Sequence, residues 1–295
     1  MNQAIDTAAS SAAALETRLA RFALRDVRAG EARVSYREAA GKRGKEALPL
    51  VLLHGIGSGA ASWVQQFEAL GEGENPRRVL AWDAPGYGAS TPVASASPVA
   101  GDYAGVLAGW LDALGIERCV LAGHSLGAII VGAFAAAQPA RVSGLLLISP
   151  AGGYGAADPA VREEKRAARL AMLAELGPQG LADKRSANML SPHASDEARA
   201  WVRWNMSRVV PHGYAQATHL LANADLAADL ARCVGKVSMA VAVGAEDTIT
   251  SPPACERLAH VAQAPFETVP RAGHAGYIEQ PAAYNALLDT FCAEH

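Results

Sequence analysis

The sequence predicts an α/β protein built on a mostly parallel sheet, and three observations predict it. Short continuous apolar runs recur along the chain, glycine-bearing turns follow them, and longer stretches of helical pattern come next. Continuous rather than alternating apolarity suits strands covered on both faces, as in a parallel sheet with helices above and below. The 295 residues, 51% hydrophobic and 19% charged, are enough to fill such a core and exclude the fibrous and disordered classes.

The elements follow in chain order. Residues 1–30 read as an Ala-rich leader, either a short helix or a frayed tail, with Asp6 and Glu16 interrupting any export-type apolar core. Residues 33–37 (RVSYR) alternate as an antiparallel edge strand would. Apolar runs at 50–53, 79–82, 119–122, 145–148, 237–243 and, more weakly, 266–269 supply the other strands. The rhythm breaks between 151 and 230, where helical patterns over 158–176 and 196–206 replace it. Because strands resume at 237, residues 151–230 are expected as a helical cap on one core made of 31–150 and 231–295.

Composition narrows the partners. The 26 basic residues are scattered among 29 acidic ones, for a net charge of −3, so no cationic field is present to hold a phosphate backbone. Nucleic acid is therefore not expected as a partner. Cys119, Cys233, Cys255 and Cys292 lie far apart, with neither a C-x-x-C pair nor zinc-ligand spacing, so no disulfide framework and no metal is expected. The longest apolar run, 128–137, falls far short of the roughly 20 residues needed to cross a bilayer. The expectation is a soluble, cytoplasmic chain with no membrane attachment, a homodimer being left open.

The chemistry concentrates after the 119–122 run. Gly123-His124-Ser125-Leu126-Gly127 spells G-x-S-x-G between a strand and an apolar helix. A serine on so tight a turn needs neighbours two residues away without side chains, or strand and helix collide; the hydroxyl is then pushed into the open. The following helix aims free N–H groups and its positive dipole end at the same point, which makes the Leu126 N–H a candidate oxyanion donor. Serine is a weak nucleophile until a base removes its proton, so a histidine and an orienting acid are required. Asp247 in GAEDTITSP and His274 in RAGHAGYIEQP follow the 237–243 and 266–269 runs, with Glu246 the competing acid. The Ser, Asp, His order is that of the strand-turn-serine arrangement.

The 50–53 run leads into His54-Gly55-Ile56-Gly57-Ser58-Gly59, where glycine density permits close backbone approach to a ligand, and the Ile56 N–H is the second candidate oxyanion donor. His54, Gly55 and His124 border the expected pocket. Trp201 and Trp204 are candidates for its aromatic wall, against the plainer reading of helix packing. Asp83 in DAPGYGAS reads as a turn-stabilising carboxylate, and Arg203, Arg208 and Lys184 as solvated charge before substrate ligands.

LLHGIGSGAASW, AWDAPGYGAS, LAGHSLGA, VGAEDTITSP and AGHAGYIEQP resemble, in order and spacing, the landmarks of the α/β-hydrolase superfamily from about Leu50 to the C-terminus. The resemblance implies an eight-stranded, mostly parallel sheet flanked by helices, a helical cap after the sixth strand, and a cofactor-free serine-hydrolase mechanism on a small-molecule substrate. Superfamily dehalogenases and epoxide hydrolases carry aspartate where this chain has Ser125. The return from 211 to 226 looks like that of enol-lactone hydrolases and small esterases. The opening HGIGSGAASW also looks like that of meta-cleavage-product C–C hydrolases, but these usually have asparagine in place of His124 and tryptophan in place of Ala275. Ester or lactone cleavage therefore ranks ahead of C–C cleavage, with a cofactor-free perhydrolase or a catalytically silent binding protein as further alternatives.

Overall fold

The structure, a computed structural model, describes residues 2–42 and 47–295, with residues 2–10 described by backbone alone. The strands are β1 (Arg25–Ala29), β2 (Ala32–Ala39), β3 (Leu50–Leu53), β4 (Val79–Trp82), β5 (Cys119–His124), β6 (Val142–Ile148), β7 (Ser238–Gly244) and β8 (Phe266–Val269). They form one sheet in the order β1-β2-β4-β3-β5-β6-β7-β8, antiparallel from β1 through β4 and parallel from there on. Helices α1 (Asn2–Leu19), α2 (Val64–Gln66), α3 (Ala100–Ala113) and α4 (Leu126–Ala137) precede β6. Between β6 and β7 come α5 (Pro159–Arg185), α6 (Asp196–Met206), α7 (Pro211–Asn223) and α8 (Leu226–Cys233), and α9 (Pro252–Ala262), α10 (Gly276–Glu279) and α11 (Pro281–Ala293) complete the chain.

The unbroken apolar strands have a direct cause. Val51, Leu53, Leu121, Leu145 and Leu147 join one core, while Leu50, Leu52, Val120, Leu146 and Ile148 join a second core on the opposite face. Alternate side chains leave a strand on opposite faces, so a sheet covered on both sides demands apolar residues at every position.

The leader expectation needs correction at its end. Residues 25–29 lie within the span read as leader, yet they form β1 and pair with β2 across the Gly30-Glu31 turn, where Gly30 takes φ 62°. RDVRA shows little apolar pattern because an edge strand leaves most of its side chains exposed, and the glycine at positive φ was the available hairpin signal. No helix among the described residues is long and apolar enough to cross a membrane.

α1 lies along α6 and ties the inserted helices to the sheet layer. Arg18 Nε donates to Glu68 Oε1 at 2.9 Å, its Nη1 reaches Glu197 on α6 at 3.1 Å, and the guanidinium stacks 4.3 Å from the Trp201 ring centroid. Trp201 is only 1% exposed, and its indole N–H donates to the Ser11 carbonyl at 3.4 Å. Truncating a buried tryptophan removes its transfer free energy and leaves a cavity, so Trp201→Ala is expected to destabilise by about 3–5 kcal/mol, read from urea unfolding monitored by circular dichroism.

Candidate active site

Ser125 sits where β5 turns into α4, at φ 53° and ψ −112°, a conformation rarely adopted by a residue with a side chain. The two flanking glycines make it attainable. A Cβ at Gly123 would lie 2.6 Å from the Gly127 carbonyl oxygen, and one at Gly127 would lie 2.3 Å from the Leu53 carbonyl oxygen. The Ser125 N–H donates to the Ile148 carbonyl at 3.0 Å, so β6 holds the turn from the other side. Leu126 opens α4, whose first N–H groups have no acceptor inside the helix.

Asp247 occupies the turn after β7, 3% exposed. Its Oδ1 accepts from the N–H groups of Ile249 (2.8 Å) and Thr250 (2.9 Å), and its Oδ2 pairs with His274 Nδ1 at 2.9 Å. Burial by itself pushes this carboxyl up, but the His274 hydrogen bond and charge, helped by the two N–H donors, outweigh burial and hold it at about 2. Thr250 Oγ1 lies 2.9 Å from Asp247 Oδ2, 3.1 Å from His274 Nδ1 and 3.0 Å from the Ser149 carbonyl, bracing the pair. Glu246, the competing acid, points elsewhere and meets His193 Nε2 at 3.3 Å.

The His274 loop hangs from several supports. The His274 carbonyl accepts from His124 Nε2 at 2.8 Å, the Gly273 N–H donates to Glu279 Oε2 at 2.9 Å, and the Ala275 N–H donates to the Met189 carbonyl at 2.7 Å. Burial, then the nearby His274, lowers His124 to about 3, so it stays neutral; donation from Nε2 leaves Nδ1 bare. Gly55 explains itself here, since a Cβ at that position would lie 2.9 Å from His124 Nδ1.

Ser125, Leu126, His274, His124, Gly55 and Ile56 line one cavity of about 560 Å³. Its remaining wall is mostly apolar and includes Leu181, Val202, Met206 and Leu221 from the inserted helices. Ile56 is fixed through its carbonyl, which accepts the Tyr87 hydroxyl at 2.7 Å.

Three expected pocket residues lie outside the cavity wall. His54 instead bridges two turns: its Nδ1 bonds the Gly55 carbonyl at 2.8 Å and its Nε2 accepts from the Ala84 N–H at 3.0 Å, while burial lowers its pKa. Trp201 and Trp204 turn toward α1, where the Trp204 indole N–H meets Glu16 Oε1 at 3.2 Å and Arg208 stacks 3.8 Å from the ring centroid. Helical neighbours point about 100° apart, so α6 gives the cavity Val202, Asn205 and Met206 while its tryptophans face another helix. Asp83 holds turns as expected, accepting from the Ala60 N–H at 2.9 Å and the Ser35 hydroxyl at 2.9 Å. Arg203 pairs with Asp183 at 2.8 Å, away from the cavity.

Thr250 and Glu279 were missed. Thr250 had a local signal, since a hydroxyl residue three positions after an aspartate suits a side-chain-closed turn. Glu279 acts across a loop and into the insertion, and it had none.

The depressed Asp247 carboxyl has a stability consequence. Its folded pKa lies below the ordinary value of 3.8, so its contribution is full above that value and is lost as pH falls toward 2. Asp247→Asn should lower the melting temperature near pH 6, and the gap from wild type should narrow between pH 5 and pH 2 in thermal melts.

The comparisons with known proteins agree with this architecture. Among curated relatives, a 2-hydroxy-6-oxononadienedioate/2-hydroxy-6-oxononatrienedioate hydrolase of Paraburkholderia phymatum is 40% identical over 126 residues, 42% of each protein. A 1-acylglycerol-3-phosphate O-acyltransferase of Rattus norvegicus is 36% identical over 107 residues, 35% of this chain and 30% of the relative. The chain thus spans well under half the length of the curated relatives it matches. Among solved structures, a thermophilic esterase from Thermogutta terrifontis superposes with TM-score 0.79 at 24% identity, over 92% of this chain and 98% of that one. An enol-lactonase from Burkholderia xenovorans gives TM-score 0.79 at 24% identity, over 91% and 100%. The model of the alpha/beta hydrolase family matches residues 50–287, and with the eight-stranded sheet this places the chain in that family.

Proposed function

We propose that the protein is a serine hydrolase that cleaves an ester or lactone of a small organic acid through an acyl-enzyme. The observation that carries this reading is the strained Ser125 sharing a cavity with His274, whose Nδ1 is bonded to the buried Asp247. With the imidazole proton on Nδ1 donated to the carboxylate, Nε2 keeps a lone pair and serves as general base. Ser125 Oγ attacks the carbonyl carbon while its proton passes to His274 Nε2, and the backbone N–H groups of Ile56 and Leu126 receive the oxyanion. Collapse breaks the bond to the leaving oxygen, which takes the proton from His274. Water then adds to the acyl carbon with His274 again as base, and collapse of this second intermediate breaks the bond to Ser125 Oγ, which takes the proton back from His274 as the acid product leaves. The inserted helices form the cap over a small-molecule substrate, and their apolar side chains exclude water from the cavity.

C–C bond hydrolysis is the second reading, favoured by the match to the dienedioate hydrolase. A vinylogous ring-fission ketone assayed against short 4-nitrophenyl esters separates the two.

Replacing Ser125 by Ala should lower ester turnover by about 10⁴- to 10⁶-fold, and a fluorophosphonate probe should label wild type at Ser125 but not the variant. Undiminished turnover in Ser125→Ala, or a wild-type protein that the probe ignores, would remove the mechanism.

A further inference from the structure

Three arginines line the cavity, Arg169, Arg185 and Arg257, and the proposed chemistry uses none of them; Arg257 comes from α9, the other two from the inserted helices. Arg169 and Arg185 both lie on α5 and both line the same cavity as Ser125. α5 is not straight: Gly177 breaks it at φ 60° and ψ −178°, with Pro178 next. The break folds the second segment back. Arg185 Nη1 approaches Met172 Sδ to 3.9 Å, whereas thirteen residues of straight helix would hold them about 20 Å apart. Met172 lies three residues after Arg169, on the same helical face, so the two arginines flank one turn of α5.

Neither is matched by a counter-charge in the contacts described. Arg169 Nη1 donates to the Tyr214 hydroxyl at 3.2 Å, and Arg185 meets a thioether sulfur. Three other arginines of this region are paired: Arg203 with Asp183, Arg208 with Glu16 and Arg166 with Glu163. A guanidinium has five N–H donors, and Arg169 and Arg185, both half-buried at the cavity wall, each spend one of them in the contacts described, which leaves the others open to an incoming anion. A planar carboxylate matches that fork.

The geometry points to a carboxylate subsite formed by Arg169 and Arg185, so that the substrate is an ester or lactone with an apolar body and an anionic carboxylate away from the scissile carbonyl. This rests on the serine-hydrolase reading for the identity of the scissile group, but the anion preference is measurable without turnover. The ligands are monomethyl adipate and monomethyl adipamate, which differ only in a terminal carboxylate against a neutral carboxamide.

Calorimetry on the Ser125→Ala protein should show the carboxylate binding about ten- to hundredfold tighter than the amide, the range expected of charge-assisted hydrogen bonds. In the R169M/R185M double variant on that background the ratio should fall close to one. If the double variant lacks a cooperative melt, the R169M and R185M single variants decide, each expected to lose part of the ratio. Equal binding of the two ligands, or a ratio that survives loss of both arginines, overturns the subsite. Failure of the fluorophosphonate probe to label Ser125 overturns the hydrolytic reading, so the two failures are told apart.

Discussion

The site depends on one backbone constraint, the positive φ of Ser125. A residue with a side chain stays there only if its surroundings over-determine it, and here they do. The Ile148 carbonyl fixes its N–H, while Gly127 packs so closely on the Leu53 carbonyl that even a methyl group would collide. That contact locks α4 against the end of β3, the strand that leads into Gly55 and Ile56. The strand end, the turn and the helix start therefore move as one body. The position of Ile56 relative to Leu126 is a property of sheet packing rather than of a free loop.

The imidazole is placed differently, by a loop suspended from both the sheet layer and the inserted helices. Asp247 and His124 hold it from the sheet, while the Met189 carbonyl receives the Ala275 N–H from the insertion. Glu279 bonds the N–H groups of both Gly273 and Ser191, and also takes the Ser191 hydroxyl. A shift of the segment around Met189–Ser191 would thus be felt at His274 without passing through a bound ligand. The depressed Asp247 carboxyl fits this division, since it stays charged to orient the ring, while burial keeps His124 neutral, with its one ring proton on the Nε2 that meets the His274 carbonyl.

How much of this was legible follows from the range of each interaction. Strands at 50–53 and 79–82 lie where the apolar runs place them because burial on both faces writes itself into every residue, whereas 266–269, an edge strand with Glu267 and Thr268 exposed, carries only a weak run. The α6 boundaries at 196 and 206 were equally readable, since Ser195 caps the helix by accepting from the Ala198 N–H at 3.1 Å. Ser125, Asp247 and His274 stood out because a strained turn and two post-strand loops have local spellings. What stayed hidden depends on rotation and on distant partners. Trp201 and Val202 are neighbours in sequence, and only the packing of α1 decides which of the two reaches the cavity. The helical pattern over 158–176 stopped at the Gly177 break, but nothing local says that the following turns fold back to bring Arg185 beside Met172.

The same packing explains why the inserted helices form a fixed wall. α6 is held on one side by its cavity face and on the other by α1, and Arg18 carries the load across, bonded at once to Glu68 below the insertion and Glu197 on it. A lone exposed ion pair contributes little, but here one guanidinium meets two carboxylates and also covers a buried indole, so its geometry is fixed before either bond forms. The family match begins at residue 50, after this helix. α1 thus lies outside the matched residues, and it packs on α6, whose opposite face supplies Val202, Asn205 and Met206 to the cavity. Cavity shape in this protein is set partly by a segment remote from every motif that marks the chemistry.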